Sequence, residues 1–515
     1  MSTQYRCWRM PALRTGVAAL LACGLSACAL GPNFNTPAVP ANAGDHYTPT
    51  PLPAQTVAAP GVDHGGGAQR FVSGMDIPAQ WWSVFRSPAL DQLIRSALEQ
   101  SPSMAAAEAT LRQAQENYNA QAGELVYPSL NGALGAGRQK TQVATPQGTA
   151  SSVLTLYNAS VNVAYTPDVF GITRRTLEGA RAAVDYQRFQ VEATYLTLSA
   201  NVVTTAIREA SLRAQLQATR EVLAALTAQQ GLIEKQFEYG AIPRTQLLSQ
   251  RNQVAQTTAT VAPLEKALAQ TRHLLSVLVG KLPGEAGMPE FTLASLTLPE
   301  DLPVSLPSAL VRQRPDIRAS EELLHQASAQ IGVATAAQYP QFTLSGSYGA
   351  ASPTFSKLFE GDNAIWSLTA GLTAPIFNGG ALRARKRAAE AAYDVAAAQY
   401  RSTLLTAFQN VADSLRALES DAAALKAQAE SEALAAETLA LAQEQYKLGA
   451  ISYLALLDAQ RSFQQAHISL VQAQATRYAD TAALFQALGG GWWNRAEGEP
   501  AATPVSVAPS IGRSP

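Results

Sequence analysis

The side chains that could do chemistry are few and scattered. The five histidines show no i,i+4 spacing and have no cysteine beside them; they are His46, His64, His273, His325 and His467. Structural and catalytic zinc sites instead bring histidine, cysteine and carboxylate ligands together at short, regular spacings. The sequence therefore predicts no metal site.

Two segments come close to catalytic motifs. Residues 345–349, Ser-Gly-Ser-Tyr-Gly, resemble a nucleophile elbow, but they lack its first glycine and lie in an alternating, strand-like stretch. Residues 132–141 place glycines before Lys140, but this lysine follows a glutamine and no helix is expected to begin there, as a phosphate-binding loop requires. We therefore expect a protein that is not an enzyme, with no catalytic residue and no cofactor.

One cysteine near the N-terminus lies in a specific motif. Residues 25–28, Leu-Ser-Ala-Cys, match a bacterial lipobox, whose cysteine is acylated and becomes the new N-terminus. They follow three arginines and an apolar stretch over residues 16–25, as in a signal peptide. We predict lipidation at Cys28; Cys23 is a weaker second candidate, and an ordinary signal peptide is the remaining alternative. Ala29 after the cysteine is compatible with outer-membrane sorting.

Composition excludes several classes of protein. The net charge is −1 over 515 residues, so nothing indicates a nucleic-acid partner. Charged residues make up 15%, against about 25% in an ordinary globular domain. Beyond the first 30 residues there is no run of about 18 apolar residues, so we expect no transmembrane helix. A membrane span would have to be made of β-strands.

The chain repeats itself with an offset near 210 residues. The matched segments are 96–102 with 308–315, 127–128 with 339–340, 170–171 with 377–379, and 237–242 with 446–451. Such self-similarity indicates two copies of one structural unit. Each half has the predicted order helix, strand pair, very long helix, turn, helix.

Strands and helices follow from two periodicities. Residues 366–373 alternate Trp, Leu, Ala and Leu with Ser, Thr, Gly and Thr, and residues 130–134, 161–165 and 342–348 alternate less sharply. This pattern fits strands with lipid on one side and water on the other, or the edge of a soluble sandwich. About 173–237 and 381–447 lack proline and carry apolar residues at 4-3 spacing, which predicts long helices packed lengthwise.

Glycines mark where the long helices turn back. Gly240 and Gly449 follow the last turns and suit the left-handed conformation that ends a helix. Pro243 fits the first position of the next helix, and Ser452 fits its counterpart's N-cap. The sequence thus predicts two helical hairpins with tips at 237–244 and 446–453.

Four membrane strands cannot close a barrel, because about eight are the practical minimum. Open edges in lipid would leave backbone groups unsatisfied, so other copies must supply strands. Two copies give eight strands and three give twelve, and the physics of the sequence leaves both open.

The motifs resemble those of the TolC-type outer membrane factors, most closely the OprM/NodT-like lipoproteins. The matching segments are 25–28 with 31–32, 81–91, 339–340, 375–380, 453–462 and 487–492, and the resemblance covers 28–493 in order. It implies an α+β membrane protein: a homotrimer with a twelve-stranded transmembrane β-barrel and a long antiparallel α-helical coiled-coil barrel. It also implies a lipid-anchored outer-membrane channel that extends into the periplasm.

The resemblance further implies partners and a gate. A periplasmic adaptor and an inner-membrane pump, favoured to be of the proton-driven RND type, would deliver drugs or other small molecules; type I secretion remains an alternative. The adaptor-contacting tips would be Gly240, Ala241, Ile242, Gly449, Ala450 and Ile451. Leu454 and Asp458 match the constriction of the OprM-like pattern, and Ala455 stands where TolC has a further Asp, so we expect one acidic ring. A solvated residue or a partner of the helix dipole is the alternative for Asp458, and Leu454, one turn earlier on the same face, favours the gate.

These expectations divide the chain as follows: signal peptide 1–27, lipid anchor and extended linker 28–87, first repeat 88–284 with strand pair 126–166, linker 285–306, second repeat 307–489 with strand pair 338–377, and tail 490–515. A non-conducting periplasmic tether or adhesin is the alternative from another class. It needs neither amphipathic strands nor paired tips.

Overall fold

The computed structural model describes residues 29–38, 47–145 and 148–495, without the side chains of 143–150. The predicted signal peptide and the candidate lipidation residues Cys23 and Cys28 lie outside the described residues.

Long helices alternate with two strand pairs along the chain. The strands are β1 (Arg70–Ser73), β2 (Ser129–Thr145), β3 (Gly148–Tyr165), β4 (Asp301–Val304), β5 (Gln341–Ser352) and β6 (Ala364–Thr373). The helices are α1 (Pro88–Gln100), α2 (Pro102–Val126), α3 (Ile172–Glu238), α4 (Arg244–Leu278), α5 (Pro307–Gln313), α6 (Pro315–Ala336), α7 (Ala381–Lys447) and α8 (Tyr453–Ala487). None of the described helices is long and apolar enough to cross a membrane.

Two compact units form, and each takes segments from both halves of the sequence. The described residues of unit 1 fall within Met1–Thr36, Arg112–Tyr186 and Ser320–Tyr400, and those of unit 2 within Pro37–Leu111, Gln187–Ala319 and Arg401–Pro515. The units therefore do not coincide with the two sequence repeats. The repeats remain a description of the order of elements along the chain.

Unit 1 contains a four-stranded antiparallel sheet in the order β2-β3-β5-β6. The pairing of β3 with β5 joins the strand pair of the first repeat to that of the second. Within the described chain, one edge of β2 and one edge of β6 have no partner strand.

The register of this sheet separates polar from apolar side chains. Asn131, Asn162, Ser347 and Ser367 stand opposite one another in a row across all four strands. The Ser347 and Ser367 hydroxyls are hydrogen bonded at 2.8 Å. The opposite face of the sheet carries large apolar side chains that are exposed in the single chain; they include Leu130, Leu134, Val161, Val163, Leu344, Tyr348, Trp366, Leu368 and Leu372. The two faces predicted from alternation are confirmed.

Residues 30–33 are fixed against α3 and α6 within unit 1. The Arg175 guanidinium donates to the backbone oxygens of Leu30 and Gly31 and to the side chain of Asn33. Gly31 has φ +97°, and a Cβ there would lie 2.5 Å from the Cα of Gly332. This close approach requires glycine at position 31.

Unit 2 is built on the helical parts of the chain. α3 and α7 each contain 67 residues. The apolar seam predicted on α7 is buried at Leu404, Val411, Leu415, Leu418, Ala422 and Leu425. On α3, Val191, Tyr195, Leu198 and Val202 are buried as well. The lengthwise helix packing predicted from the 4-3 spacing is therefore confirmed.

The expected extended linker is wrong for residues 47–87. β1 pairs in parallel with β4, and Arg70 forms an ion pair with Asp301 at 2.8 Å. Trp81, Trp82 and Phe85 belong to the main core of unit 2. The Pro and Gly content misled the prediction because it reflects tight turns in a packed segment.

Arg477 of α8 fastens this N-terminal segment. The side chain is fully buried, and its guanidinium donates to the Gly65 and Gly67 carbonyl oxygens, the Thr56 hydroxyl and the Gln69 side-chain oxygen. All four acceptors are uncharged. A planar fork of donors suits such a set of divergent oxygens, which a single ammonium group cannot reach.

The prediction of a tail from residue 490 is wrong for its first residues. The Trp492 indole donates to the Gln313 carbonyl at 2.6 Å, and the Asn494 side chain donates to the Ile77 carbonyl at 2.8 Å. Arg495 pairs with Glu192 at 3.1 Å. Residues 490–495 thus pack against the core, and the remainder of the predicted tail lies outside the described residues.

Replacing Arg477 with lysine tests the importance of its hydrogen bonds. Lysine keeps the positive charge but cannot make the four hydrogen bonds of the guanidinium group. We therefore expect the free energy of unfolding to fall by about 2–4 kcal/mol. Denaturant unfolding in detergent, followed by circular dichroism, measures it. Arg208→Lys on the exposed side of α3 is the matched control. An equal, small loss in both variants would contradict the role given to Arg477.

Candidate gate and docking site at the hairpin tips

The two long helices end in the same turn. In the first, Gly240 N–H donates to the Phe237 carbonyl at 2.9 Å and Ala241 N–H to the Gln236 carbonyl at 2.8 Å. The corresponding bonds of Gly449 and Ala450 measure 3.0 and 2.8 Å. Gly240 and Gly449 have φ values of +71° and +73°. Both turns are therefore Schellman motifs with glycine in the left-handed position.

The return helices begin differently in the two hairpins. The Ser452 hydroxyl accepts the Ala455 N–H at 3.2 Å, so the predicted N-cap is confirmed. Pro243 was expected at the first helical position, but it occupies the N-cap with ψ 151°, and α4 begins at Arg244. The expectation is wrong by one residue, because the extended ψ of Pro243 lies outside the helical range.

A small apolar core lies immediately behind the tips. Its buried members are Ile233, Leu247, Ala442, Tyr453, Leu456, Leu457 and Ala459. Ile242 and Ile451 pack against this core, whereas Gly240, Ala241, Gly449 and Ala450 are exposed. Of the six expected tip residues, two therefore pack inside the tip and four are exposed to solvent.

Leu454 and Asp458 lie on the exposed face of α8, one turn apart. Leu454 is 63% exposed and the Asp458 side chain is 65% exposed. The adjacent face of the same helix is buried through Tyr453 and Leu457. The nearest cationic atom recorded for the Asp458 carboxylate belongs to Arg461, at 4.0 Å. The exposed face of α8 therefore presents an apolar side chain and a carboxylate next to each other.

Polar side chains, all but one of them uncharged, connect the hairpin of α3 and α4 to the hairpin of α7 and α8. The Gln246 amide donates to the Tyr446 hydroxyl, and the Tyr453 hydroxyl donates to the side-chain oxygen of Gln250. Farther from the tips, Arg461 donates to Gln253 at 2.6 Å. We call these six residues the polar ladder.

Two further polar contacts join the hairpins beyond the polar ladder, and part of the ladder is buried. Gln460 donates to Gln229 at 2.6 Å, and Gln472 donates to Gln215 at 3.1 Å. Gln250 is fully buried and donates to the Leu226 carbonyl at 2.6 Å. Burial raises the pKa of the Tyr453 hydroxyl, which keeps it protonated and able to donate.

Reasoning from the sequence missed the polar ladder, although a signal is present. Gln246, Gln250 and Gln253 recur at the same 4-3 spacing as the apolar seams, followed by the buried Thr257. Polar residues at 4-3 spacing lie on one face of a helix, and such a face is usually exposed to solvent. The structure instead places it between the two hairpins.

The described residues contain no cluster of three or more histidine, cysteine or carboxylate side chains placed to hold a metal ion. The tip region offers exposed small side chains, an exposed acid and hydrogen bonds between the hairpins, and these groups suit an interface.

Comparison with known proteins agrees with this geometry. The sequence profile described as outer membrane efflux protein matches residues 93–281 and 306–490. The pyoverdine export outer membrane protein OpmQ of Pseudomonas putida is 33% identical over 86% of this chain and 94% of its own. The outer membrane protein OprJ of Pseudomonas aeruginosa is 31% identical over 94% and 97%.

Solved structures show the same architecture. The outer-membrane channel OprN superimposes with a TM-score of 0.80 at 25% identity, covering 90% of this chain and all of that one. The fold is therefore that of the TolC-like efflux channels, with long helices and an antiparallel sheet that does not close among the described residues of one chain. On both grounds, the chain belongs to the outer membrane efflux protein family.

Proposed function

We propose that the protein is the outer-membrane channel of an efflux pump and serves as a passive duct for drugs or other small molecules. One observation carries this proposal: among the described residues, the sheet of unit 1 has an apolar face, a polar face and two edges without a partner strand. A sheet of this kind is suited to lipid on one side and to a water-filled bore on the other. Family membership supplies the direction of transport.

The unpaired edges call for further copies of the chain. A homotrimer would supply twelve strands, enough for a bore that admits solutes, lined by the row from Asn131 to Ser367. A homodimer would give eight strands, whose interior side chains fill. We favour the trimer because only it leaves a duct.

The duct performs no chemistry and has no source of energy, so we infer partners that provide both energy and substrate. An inner-membrane pump of the RND type and a periplasmic adaptor fit this need. Relatives are named for the export of pyoverdine and for toluene efflux pumps. For this protein we propose only that the substrate is a small molecule and that the pump selects it.

The exposed tip residues are our candidates for the adaptor contact. Gly240, Ala241, Gly449 and Ala450 offer small side chains on two similar turns, and an adaptor hairpin can approach such a surface closely. Ile242 and Ile451 support the turns from behind.

Leu454 and Asp458 are our candidates for the gate. In a symmetric trimer, three copies of each would form an apolar ring beside an acidic ring. Like charges in a narrow bore repel, so a cation or water must accompany them, and the resting pore would select cations. The polar ladder would hold each second hairpin in the closed position, because its hydrogen bonds tie α7 and α8 to α4.

Removing both gate side chains tests the duct and the gate together. We expect the wild-type protein to show a small, cation-selective conductance in planar bilayers. Leu454→Ala with Asp458→Ala should raise the conductance severalfold and admit large antibiotics into cells, and Asp458→Ala alone should lower cation selectivity. Leu434→Ala, an exposed leucine on α7, is the matched control. Unchanged conductance and selectivity in the double variant would place the gate elsewhere.

Removing one hydrogen bond tests the polar ladder. Tyr453→Phe leaves the buried oxygen of Gln250 without its donor, which costs about 1–3 kcal/mol in the closed conformation. We expect a higher open probability in single-channel recordings. Tyr239→Phe at the tip, where the side chain is 87% exposed, should have no effect. Equal open probabilities in the two variants would show that the ladder does not hold the gate.

The lipid anchor at Cys28 can be tested by labelling. Cys28→Ser should abolish incorporation of labelled fatty acid, whereas Cys23→Ser should leave it intact. Stable anchoring needs more than one acyl chain, at about 0.8 kcal/mol per buried methylene. Efflux should persist in part, because the strands provide a second attachment. Label on the Cys28→Ser protein would identify Cys23 as the acylated residue.

A further inference from the structure

A cleft of about 240 Å³ lies between α3, α7 and α8 within unit 2. Its walls are mostly apolar: Leu226 is buried, and Val222, Leu439 and Phe463 are half-buried. Ala225 lines the rim and is exposed, so the cleft is open to solvent. We call this space the hairpin cleft. Its volume is close to the lower end of ligand pockets and suits a molecule with a single ring.

Gln460 brings an unsatisfied acceptor to the lining of the hairpin cleft. The Gln460 amide nitrogen donates to the side-chain oxygen of Gln229 at 2.6 Å. The Oε1 atom of Gln460 is buried and has no hydrogen-bond partner among the described residues. A buried acceptor without a donor destabilises a protein, and such atoms usually have a bound partner. This oxygen therefore favours a ligand that donates a hydrogen bond.

His467 offers a second acceptor in the lining. Its ring stacks on Phe463 with 5.7 Å between the centroids, and its Nδ1 atom lies 3.0 Å from a carboxylate oxygen of Glu432. Because a carboxylate can only accept, Nδ1 carries the proton, and in the neutral ring Nε2 is then an acceptor. Glu432 and Phe463 thus hold the imidazole in an orientation that leaves Nε2 for a donor.

Glu221 adds a negative charge at the rim of the hairpin cleft. The residue is exposed, and its carboxylate accepts a hydrogen bond from the Gln217 amide at 2.7 Å. Among the described residues that line the cleft, none is lysine or arginine. The lining therefore combines three acceptors, one of them charged, with an aromatic ring. A primary ammonium group matches this set, because it has three donors, no acceptor and a positive charge that an aromatic face attracts.

We propose that the hairpin cleft binds small primary amines that carry a single aromatic or aliphatic ring. The ring of the ligand packs against Leu226, Leu439 and Phe463, and the ammonium group donates to the acceptors of Gln460, His467 and the rim.

A bound amine would also act on the tips. The hairpin cleft is lined by α3 of the first hairpin and by α7 and α8 of the second, so a ligand there contacts both hairpins. A ligand shifts a conformational equilibrium towards the state that it binds better, which here is the arrangement of hairpins in this structure. Amine binding therefore favours the closed tip. Only this last step rests on the proposed function.

Isothermal titration calorimetry of the full-length protein in detergent tests the site with 2-phenylethylamine. We expect saturable binding of one amine per chain. The alcohol 2-phenylethanol has nearly the same shape but no charge and fewer donors, so it should bind at least about tenfold more weakly. Equal affinity for the amine and the alcohol, or no binding of the amine, would overturn the proposal.

Two variants locate the bound amine. Ala225→Trp places a large ring at the rim and should abolish binding, whereas Ala224→Trp, at an exposed neighbour outside the lining, should bind like the wild type. Gln460→Leu removes the acceptor at similar size and should weaken binding about tenfold; it serves if Ala225→Trp folds poorly. Wild-type affinity in both Ala225→Trp and Gln460→Leu would contradict binding in the hairpin cleft.

Single-channel recordings test the link to the tip. Addition of 2-phenylethylamine should lower the open probability of the wild-type protein severalfold and leave that of Ala225→Trp unchanged. An equal effect on both proteins would show that the amine acts in the bore, which would overturn the link to the tip while the calorimetry decides on the site. A channel that never conducts would contradict the proposed function and leave the calorimetry to decide on the cleft.

Discussion

Backbone N–H and C=O groups at the edge of a sheet must find partners, and in lipid water cannot supply them. This constraint governs the whole subunit. β2 and β6 each leave one edge open in the described chain, while β3 and β5 join the strand pairs of the two repeats. In the channel that we propose, copies of the chain supply the missing partner strands. The row from Asn131 to Ser367 would line a bore only in such an assembly.

The helical unit holds its long helices together by two kinds of contact. Apolar seams on α3 and α7 hold the long helices together, and such packing is close to all-or-none. Near the tips, glutamine and tyrosine side chains make the contacts between the hairpins. Neutral hydrogen bonds contribute only about 0.5–1.5 kcal/mol each, so the tips are held more weakly than the seams.

The sequence predicted the elements well and the polar contacts poorly. Alternation in residues 366–373 identified both faces of β6, and Gly240 and Gly449 identified both turns, because each pattern reflects a local conformational requirement. Trp81 and Trp82 were placed in a linker, since Pro and Gly content does not show whether a segment packs. Arg477 and its four acceptors lie more than 400 residues apart in the chain, so no local pattern reveals them. Leu454 and Asp458 came from resemblance, and their role remains a prediction.

Disulfide cross-linking between sheet edges tests the central claim most directly. The sequence has cysteines only at positions 7, 23 and 28. A cysteine pair introduced into the sheet is therefore the only pair there that can form a disulfide. One cysteine on β6, in place of Thr369, would be combined in turn with single cysteines along β2, since a disulfide needs Cα atoms about 4.4–6.8 Å apart. Oxidation in the membrane should give dimers and trimers at one register, with no larger species. Absence of cross-links at every register, or a ladder that stops at the dimer, would contradict the twelve-stranded channel.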